Sequence, residues 1–543
     1  AVTATEAALF VDGRYTLQAA READTAVVEV LPTPANKPET WLGERLGEGE
    51  AFAYDPWPHP PAEVERLTKA IGRPAIAMMP SPIDSAWTDR PPRPAGAVIV
   101  HPAAQAGEPA GDKRARTAET LVEGGAAATV LTLPDSIAWL LNIRGSDLAR
   151  SPVVLAFAIL HADGRVDLFT EPEKIGDEVA AHLGNAVAVQ PPETLVPALE
   201  ALGGTAGTRP VRIDRSSCPA AIETALKAGG AVVEDARDPC IAPKARKNAA
   251  ELEGMRAAHR RDGAAVVRFL SALDRDLGAG ETLSEIDVAR RIEAARVATG
   301  ELLDLAFDTI AGSGPHGAIV HYRVNTETNR QIVPGELLLV DSGAQYRDGT
   351  TDITRTLATG PQADPAARRA FTLVLKGMIT LSQARWPAGL AGRDLDPLAR
   401  AALWRAGLDY DHGTGHGVGA YLNVHEGPAS ISRRSSDVAL EPGMVLSNEP
   451  GCYREGAWGI RIENLVVVTE AAVPEGGDRP MLGFETLTLA PIDRRLIDPG
   501  LMERGEIAWL DTYHARVLAE IGPLVADDPE VAGWLADACA PIA

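Results

Sequence analysis

The stretch DHGTGHGVGAYLNVHEGP, residues 411–428, carries three histidines and five glycines in eighteen positions. His412 and His416 stand four residues apart, the spacing of two metal ligands on one helix face. A helix is excluded, because Gly413, Gly415, Gly417 and Gly419 would each cost about 1 kcal/mol against alanine in a helix interior. The segment reads as a loop or distorted strand in which main chain approaches something closely. Gly415, Gly417 and Ala420 also fit the dinucleotide pattern GxGxxG/A, but that pattern needs a strand before it and a helix after it. Gly427-Pro428 breaks the chain a few residues on, so no nucleotide site is expected.

Carboxylates accompany these histidines. Five of the eleven histidines (His316, His321, His412, His416, His425) lie between residues 316 and 425. In the same region GELLLVDSGAQ runs Leu337–Val340 into Asp341, and after YRDG the chain returns through TTDITRTL with Asp352. A carboxylate ending a buried apolar run is costly unless paired or metal-bound. Asp348-Gly349 is a hairpin dipeptide, so Asp341 and Asp352 are expected on neighbouring antiparallel strands, with a bulge or wider turn adjusting the register. Downstream, LEPGMVLSNEPG delivers Glu449 at the end of an apolar run, and GIRIENLVVV sets Glu463 among Ile460, Ile462 and Leu465. Singly, each acid would read as a turn or solvent-facing residue. Together, four carboxylates balance two divalent cations in formal charge and leave an imidazole to complete coordination. Oxygen ligands without cysteine suit Mn²⁺, Mg²⁺, Co²⁺ or Zn²⁺ in a two-metal centre rather than a structural zinc.

Composition narrows the partners. A formal net charge of −23 repels phosphate backbones and no basic patch stands out, so nucleic acid is not an expected partner. No apolar run approaches a membrane span and the first residues show no signal-peptide pattern, so a cytoplasmic protein is expected. Cys218, Cys240, Cys452 and Cys539 lack any CxxC spacing; free thiols are expected.

At 543 residues the chain exceeds one core. A first segment, 1–93, ends in the proline-rich TDRPPRP. A second, 94–240, contains PVVLAFAILHADGRVDLF, where Asp163-Gly164 between apolar runs signals a hairpin. A third, 241–480, opens with a long helix in which Leu252, Met255, Val266, Phe269, Leu270, Leu273 and Leu277 recur mostly at spacings of three and four. A tail, 481–543, has a strand-like FETLTLAPID and an amphipathic LMERGEIAWLDTYHARVLAEI.

LLLVDSGAQYRDGTTDITRT, HGTGHGVGAYLNVHEGP, SNEPGCY and GIRIENL resemble the metal-binding segments of the methionine-aminopeptidase and prolidase superfamily. The resemblance is closer to the large, three-domain cytosolic Xaa-Pro aminopeptidases of the aminopeptidase P group. It extends to ALFVDGRYTLQAA, DSIAWLLNIRGSDLARSPV, FETLTLAPIDRRLID and WLDTYH, and so covers nearly the whole chain. It implies an α+β chain: a pita-bread catalytic domain preceded by two smaller α/β creatinase-N-like domains, with a short C-terminal extension on the catalytic domain. The several dozen residues that precede VDGRY in relatives are missing, so the first domain is expected to be incomplete or the sequence truncated.

The resemblance makes Asp341, Asp352, His416, Glu449 and Glu463 the ligands of two divalent ions, Mn²⁺ by family expectation, with Zn²⁺ or Co²⁺ open. Asp352 and Glu463 would bridge, Asp341 would complete one ion, and His416 with Glu449 the other. His321, His412 and His425 match histidines of the substrate pocket, and Arg461 an arginine beside the last ligand. Arg14 matches a first-domain residue that reaches a partner subunit's active site in related dimers; a homodimer is implied. His316 stands where relatives commonly have Asn and is read as a surface or pocket-rim residue.

The implied reaction is hydrolysis of the N-terminal Xaa-Pro bond of peptides with proline second. Two cations sharing a water lower its pKa from about 16 toward about 7, supplying hydroxide without a covalent intermediate. Glu449 is the candidate general base, His425 the candidate oxyanion donor, and His321 and His412 position substrate. Proline lacks an N–H, so its pocket should offer an apolar wall rather than an acceptor. The alternatives are a prolidase restricted to Xaa-Pro dipeptides, more distantly a creatinase-like C–N hydrolase, and, from another class, a non-catalytic pita-bread binding module.

Overall fold

The computed structural model describes residues 1–360 and 364–542. By packing, the chain divides into two compact units, one of residues 1–12 and 22–244, the other of residues 13–21 and 245 onward.

The first unit is built on a six-stranded mixed sheet: β1 (Ala128–Leu131), β2 (Phe157–His161), β3 (Val166–Phe169), β4 (Val187–Gln190), β5 (Val211–Ile213) and β6 (Val233–Asp235), in spatial order β4-β3-β2-β1-β5-β6. Strands β2 and β3 form the expected hairpin, with Gly164 at φ 82° in its turn, a conformation glycine adopts without a Cβ penalty. Leu195, Leu199, Ile222 and Leu226 from the covering helices pack on Val130, Val211 and Ile213 of the sheet. The segment 91–98, which begins with the two prolines of TDRPP, forms neither helix nor strand.

The second unit opens with α1 (Ala249–Gly278). Asn248 caps it, accepting from the Ala250 and Glu251 amides, while Glu251 accepts from the Asn248 amide, a capping box that fixes where the helix starts. Met255, Val266, Phe269, Leu270 and Leu273 are buried along one face; Leu252 and Leu277 sit at its edge. Helix α2 (Glu285–Val297) packs beside it.

Three strands then form an antiparallel sheet, β7 (Ile310–Ser313), β8 (Leu337–Ser342) and, beyond a small hairpin of β9 (Ala344–Tyr346) and β10 (Gly349–Thr350), β11 (Ile353–Ala358). The hairpin turns at Arg347-Asp348, one residue ahead of the expected Asp-Gly. Asp341 pairs with Thr354, and Asp352 lies just before β11 rather than within it. Helices α3 (Pro365–Ser382) and α4 (Gly392–Arg405) follow. A five-stranded antiparallel sheet is made by β12 (Gly415–Gly417), β13 (Glu426–Ile431), β14 (Val445–Asn448), β17 (Asn464–Ala472) and β18 (Met481–Thr486), in order β13-β12-β14-β17-β18; β15 (Gly451–Arg454) and β16 (Trp458–Arg461) form a hairpin beside it.

The tail shares a core with these elements. Leu510, Tyr513, Val517 and Ile521 of α5 (Arg504–Ile521) and Leu535 of α6 (Pro529–Ala538) bury against Phe371, Val374 and Met378 of α3. Each fully buried leucine or isoleucine there contributes about 1.5–3 kcal/mol relative to exposure, enough to tie the extension to the unit.

Candidate metal centre

The three-stranded sheet of β7, β8 and β11 and the five-stranded sheet bring four strand ends and one glycine-rich strand to one place. Asp341 is the penultimate residue of β8 and Asp352 precedes β11. Glu449 directly follows β14, and Glu463 lies between β16 and β17. His416 is the middle residue of β12. Ligand atoms of Asp352, His416 and Glu463 lie within 4.8 Å of one another. His416 Nε2 is 3.5 Å from both Asp352 Oδ2 and Glu449 Oε1.

Hydrogen bonds aim each group. His416 Nδ1 lies 3.0 Å from the Gly417 carbonyl, which can only accept; Nδ1 therefore carries a proton, and Nε2 is the nitrogen turned toward the carboxylates, where it would ligate a metal. Ser447 Oγ donates to Glu449 Oε1 (3.1 Å), and Thr354 Oγ1 donates to Glu463 Oε2 (2.7 Å). Arg461 Nη2 donates to Asp341 Oδ2 (2.5 Å) and its Nη1 to the Tyr453 hydroxyl (2.8 Å). The buried atoms Asp341 Oδ1 and Asp352 Oδ1 have no hydrogen-bond partner among the described residues, although buried carboxylate oxygens are otherwise nearly always satisfied.

The electrostatics point the same way. Burial raises the Asp352 carboxyl to about 6 and that of Glu449 to about 7, and lifts Glu463 well above the carboxylate range, with the neighbouring acids adding to each. Burial opposes charge on His416, yet Asp352 and Glu449 outweigh it and raise the imidazole to about 9. Such a cluster demands positive charge. Four carboxylates with two orphaned oxygens and one imidazole oriented by its Nδ1 fit two divalent cations.

The glycines serve the neighbouring strands rather than a ligand. A Cβ on Gly415 would lie 2.0 Å from the Ser447 carbonyl oxygen, and one on Gly417 2.2 Å from that of Glu426. The register shifts between His416 and Gly417, so the loop-or-distorted-strand reading holds.

The other expected residues divide. His425 is exposed and lies edge-on to His416. His321 is half-buried and meets Tyr15 edge-to-face at 5.1 Å. His412 is buried with both nitrogens engaged inside the protein: Nδ1 donates to the Gly413 carbonyl (2.7 Å) and Nε2 accepts from Tyr453 (2.9 Å). It therefore backs the Tyr453–Arg461–Asp341 chain, with both ring nitrogens engaged within the protein. Arg14 belongs to the segment 13–21 that packs with this unit, and its charge acts on His425 of the same chain. His316 is half-buried, with Nδ1 3.0 Å from both oxygens of the buried Glu285. The four cysteines are free and buried.

Sequence reasoning missed Tyr453, Thr354 and Ser447. Thr354 could have been found, since it shares strand parity with Asp352. Tyr453 carries no local signal, because its role comes from two segments meeting across the β15–β16 hairpin.

Residues 253–470 match the family model of metallopeptidase family M24, residues 89–251 that of the creatinase/prolidase N-terminal domain, and residues 480–542 that of the C-terminal region of peptidase M24. The chain is 39% identical over 563 residues to a protein named probable Xaa-Pro aminopeptidase P from Paracoccidioides brasiliensis (strain Pb03), covering 100% of this chain and 90% of that one. It is 38% identical to one of the same name from Talaromyces stipitatus, covering 98% and 83%. Among solved structures, the X-prolyl aminopeptidase from Caenorhabditis elegans, described as a cytosolic enzyme with a di-nuclear active site, superposes with a TM-score of 0.94 at 35% identity, covering 99% of this chain and 89% of that one. The Xaa-Pro dipeptidase from Bacillus anthracis shares the fold at 23% identity and a TM-score of 0.55, over 71% of this chain and 99% of that one.

Proposed function

The chain belongs to metallopeptidase family M24 and, within it, to the Xaa-Pro aminopeptidases P, and from that membership we propose that it hydrolyses the N-terminal Xaa-Pro bond of peptides at a two-metal centre. The observation that carries this reading is the cluster of Asp352, His416 and Glu463, with Glu449 3.5 Å from His416, the charge of Asp341 acting on Asp352 and Glu449, and two buried carboxylate oxygens unsatisfied. Similarity along the full length to aminopeptidase P sequences favours it over a dipeptide-only prolidase. All five ligand side chains are present, which argues against a binding module.

We assign Asp352 and Glu463 as the residues that would serve both ions, Asp341 as one that would hold the first, and His416 with Glu449 as those that would hold the second. Mn²⁺ is our choice of metal, with Zn²⁺ and Co²⁺ as competitors. When bound, the two ions supply an activated water and positive charge for the developing oxyanion. Glu449, with Oε1 held by Ser447, leaves Oε2 to take a proton from the nucleophile and return it to the departing proline nitrogen. His425, exposed beside His416, donates to the scissile carbonyl oxygen. His321 and Arg14 line the substrate side, and Arg461 holds Asp341 in place for the substrate amine. We further propose a cytoplasmic homodimer.

The test is cleavage of Arg-Pro-Pro and Gly-Pro after chelation, with each divalent ion added back separately. Cleavage of the tripeptide restored by a divalent ion is expected; cleavage of the dipeptide alone would replace this reading by the prolidase one.

A further inference from the structure

The motif WLDTYH in the tail is not used by the chemistry above, yet it reaches the metal centre through one buried side chain. Arg355, in β11 and 3% exposed, spreads its guanidinium over oxygens and meets no carboxylate among its acceptors. Nη1 donates to the backbone carbonyls of Thr354 (2.9 Å) and Glu463 (2.7 Å). Nη2 donates to Asn464 Oδ1 (2.9 Å), to the Ala490 carbonyl (2.8 Å) and to the hydroxyl of Tyr513 (3.0 Å). A buried cation is retained at such cost only where its geometry is fully satisfied.

Glu463 is gripped from both sides by this strand. Its amide donates to the Thr354 carbonyl (3.2 Å), its carboxylate accepts from Thr354 Oγ1, and its own carbonyl accepts from Arg355. Tyr513, on α5 and stacked on Trp509 with ring planes 6° apart, fixes the far end of Arg355 and also donates to the Ala490 carbonyl (2.9 Å). The path from the C-terminal helix to the backbone of Glu463 thus runs through two side chains, Tyr513 and Arg355.

We propose that Tyr513 is a positioning residue of the metal centre: through Arg355 it sets the backbone of Glu463, so the C-terminal extension tunes how tightly the ions are held. Partners that orient ligands commonly change metal affinity 10–100-fold when removed. This inference rests on Glu463 being a ligand, as proposed above.

The experiment is calorimetric titration of Mn²⁺ into chelator-stripped full-length protein, for the wild type, Tyr513→Phe, Arg355→Lys and His514→Gln. His514 lies on the same helix and accepts from the Ile492 amide (3.1 Å), and among the described residues it makes no hydrogen bond to Arg355 or Glu463. Tyr513→Phe and Arg355→Lys are expected to weaken at least one Mn²⁺ site about tenfold or more, whereas His514→Gln keeps wild-type affinities. If Tyr513→Phe does not fold, Arg355→Lys against His514→Gln decides. Wild-type Mn²⁺ affinities in Tyr513→Phe and Arg355→Lys, or equal weakening in His514→Gln, would overturn the proposal. Wild-type protein that takes up no divalent ion would instead overturn the metal-centre reading itself.

Discussion

The imidazoles of His416 and His425 meet edge to face, with centroids 4.3 Å apart and planes inclined by 66°. One ring points its free nitrogen at the carboxylate cluster, while the other stands exposed beside it. The two histidines therefore separate by role: His416 faces the ions, and His425 faces whatever approaches them.

Substitution at His425 should accordingly cost rate without costing metal. His425→Ala is expected to lower kcat/KM about 100- to 1000-fold, the usual loss of one oxyanion donor, while metal content measured by elemental analysis stays at the wild-type value. Loss of bound ions in parallel with rate would make His425 part of the ligand set and reverse this division.

Asp352 predicts a reversal of sign between metal-free and metal-loaded protein. The acid cluster repels itself, which is why burial and its neighbours raise Asp352 to about 6 and Glu449 to about 7. Asp352→Asn relieves that repulsion, so in chelator its thermal midpoint should lie at or above that of the wild type. With divalent ions added the order should invert, because ions bind and stabilise the wild type more strongly. A variant less stable than wild type under both conditions, or one that still holds two ions, would remove Asp352 from the bridging position.

How far the sequence anticipated this site depends on the kind of signal each residue leaves. Asp341, Glu449 and Glu463 end or interrupt apolar runs, a conflict visible in one dimension because buried carboxylates need partners. His416 was separable from His412 only through resemblance, since four-residue spacing and glycine density apply to both. What distinguishes them is hydrogen bonding: Gly417 leaves His416 Nε2 open, whereas Tyr453 occupies His412 Nε2. That partner lies 41 residues on, beyond any local pattern. The hairpin between β2 and β3 was legible because its turn residues are adjacent. The link from Tyr513 to Glu463 was not, because three separate segments must fold before Arg355 connects them.

The loop carrying His425 is anchored by the residue beside it. Glu426 Oε1 meets Lys247 Nζ at 2.5 Å, with the two side chains 1% and 2% exposed. Breaking such a pair from one side leaves an uncompensated buried charge, which costs about 3–5 kcal/mol, whereas replacing both partners is far milder. Lys247→Met should thus lower the thermal midpoint more than the double variant Lys247→Met/Glu426→Gln. If the double variant is the less stable of the two, the pair is not the anchor described here.

His514 gives the pH dependence a definite sign. Its ring is buried, its Nε2 accepts from the Ile492 amide, and burial, then the charges of Arg355 and Arg494, lower its pKa to about 3. In the unfolded chain the same imidazole titrates near its ordinary value of about 6.5. Between these two values the unfolded state binds a proton that the folded state refuses, so stability falls as pH drops below about 6.5 and continues to fall toward about 3. One such group contributes a slope of up to about 1.4 kcal/mol per pH unit. Glutamine can still accept from the Ile492 amide but does not titrate, so His514→Gln should lose that share of the slope. Thermal midpoints of the two proteins, followed from pH 7.5 to about 4.5, should show the wild type losing stability relative to His514→Gln as the pH falls. Parallel curves over that range would mean that His514 takes up its proton at the same pH in the folded protein as in the unfolded chain, and that the Ile492 amide does not hold its lone pair.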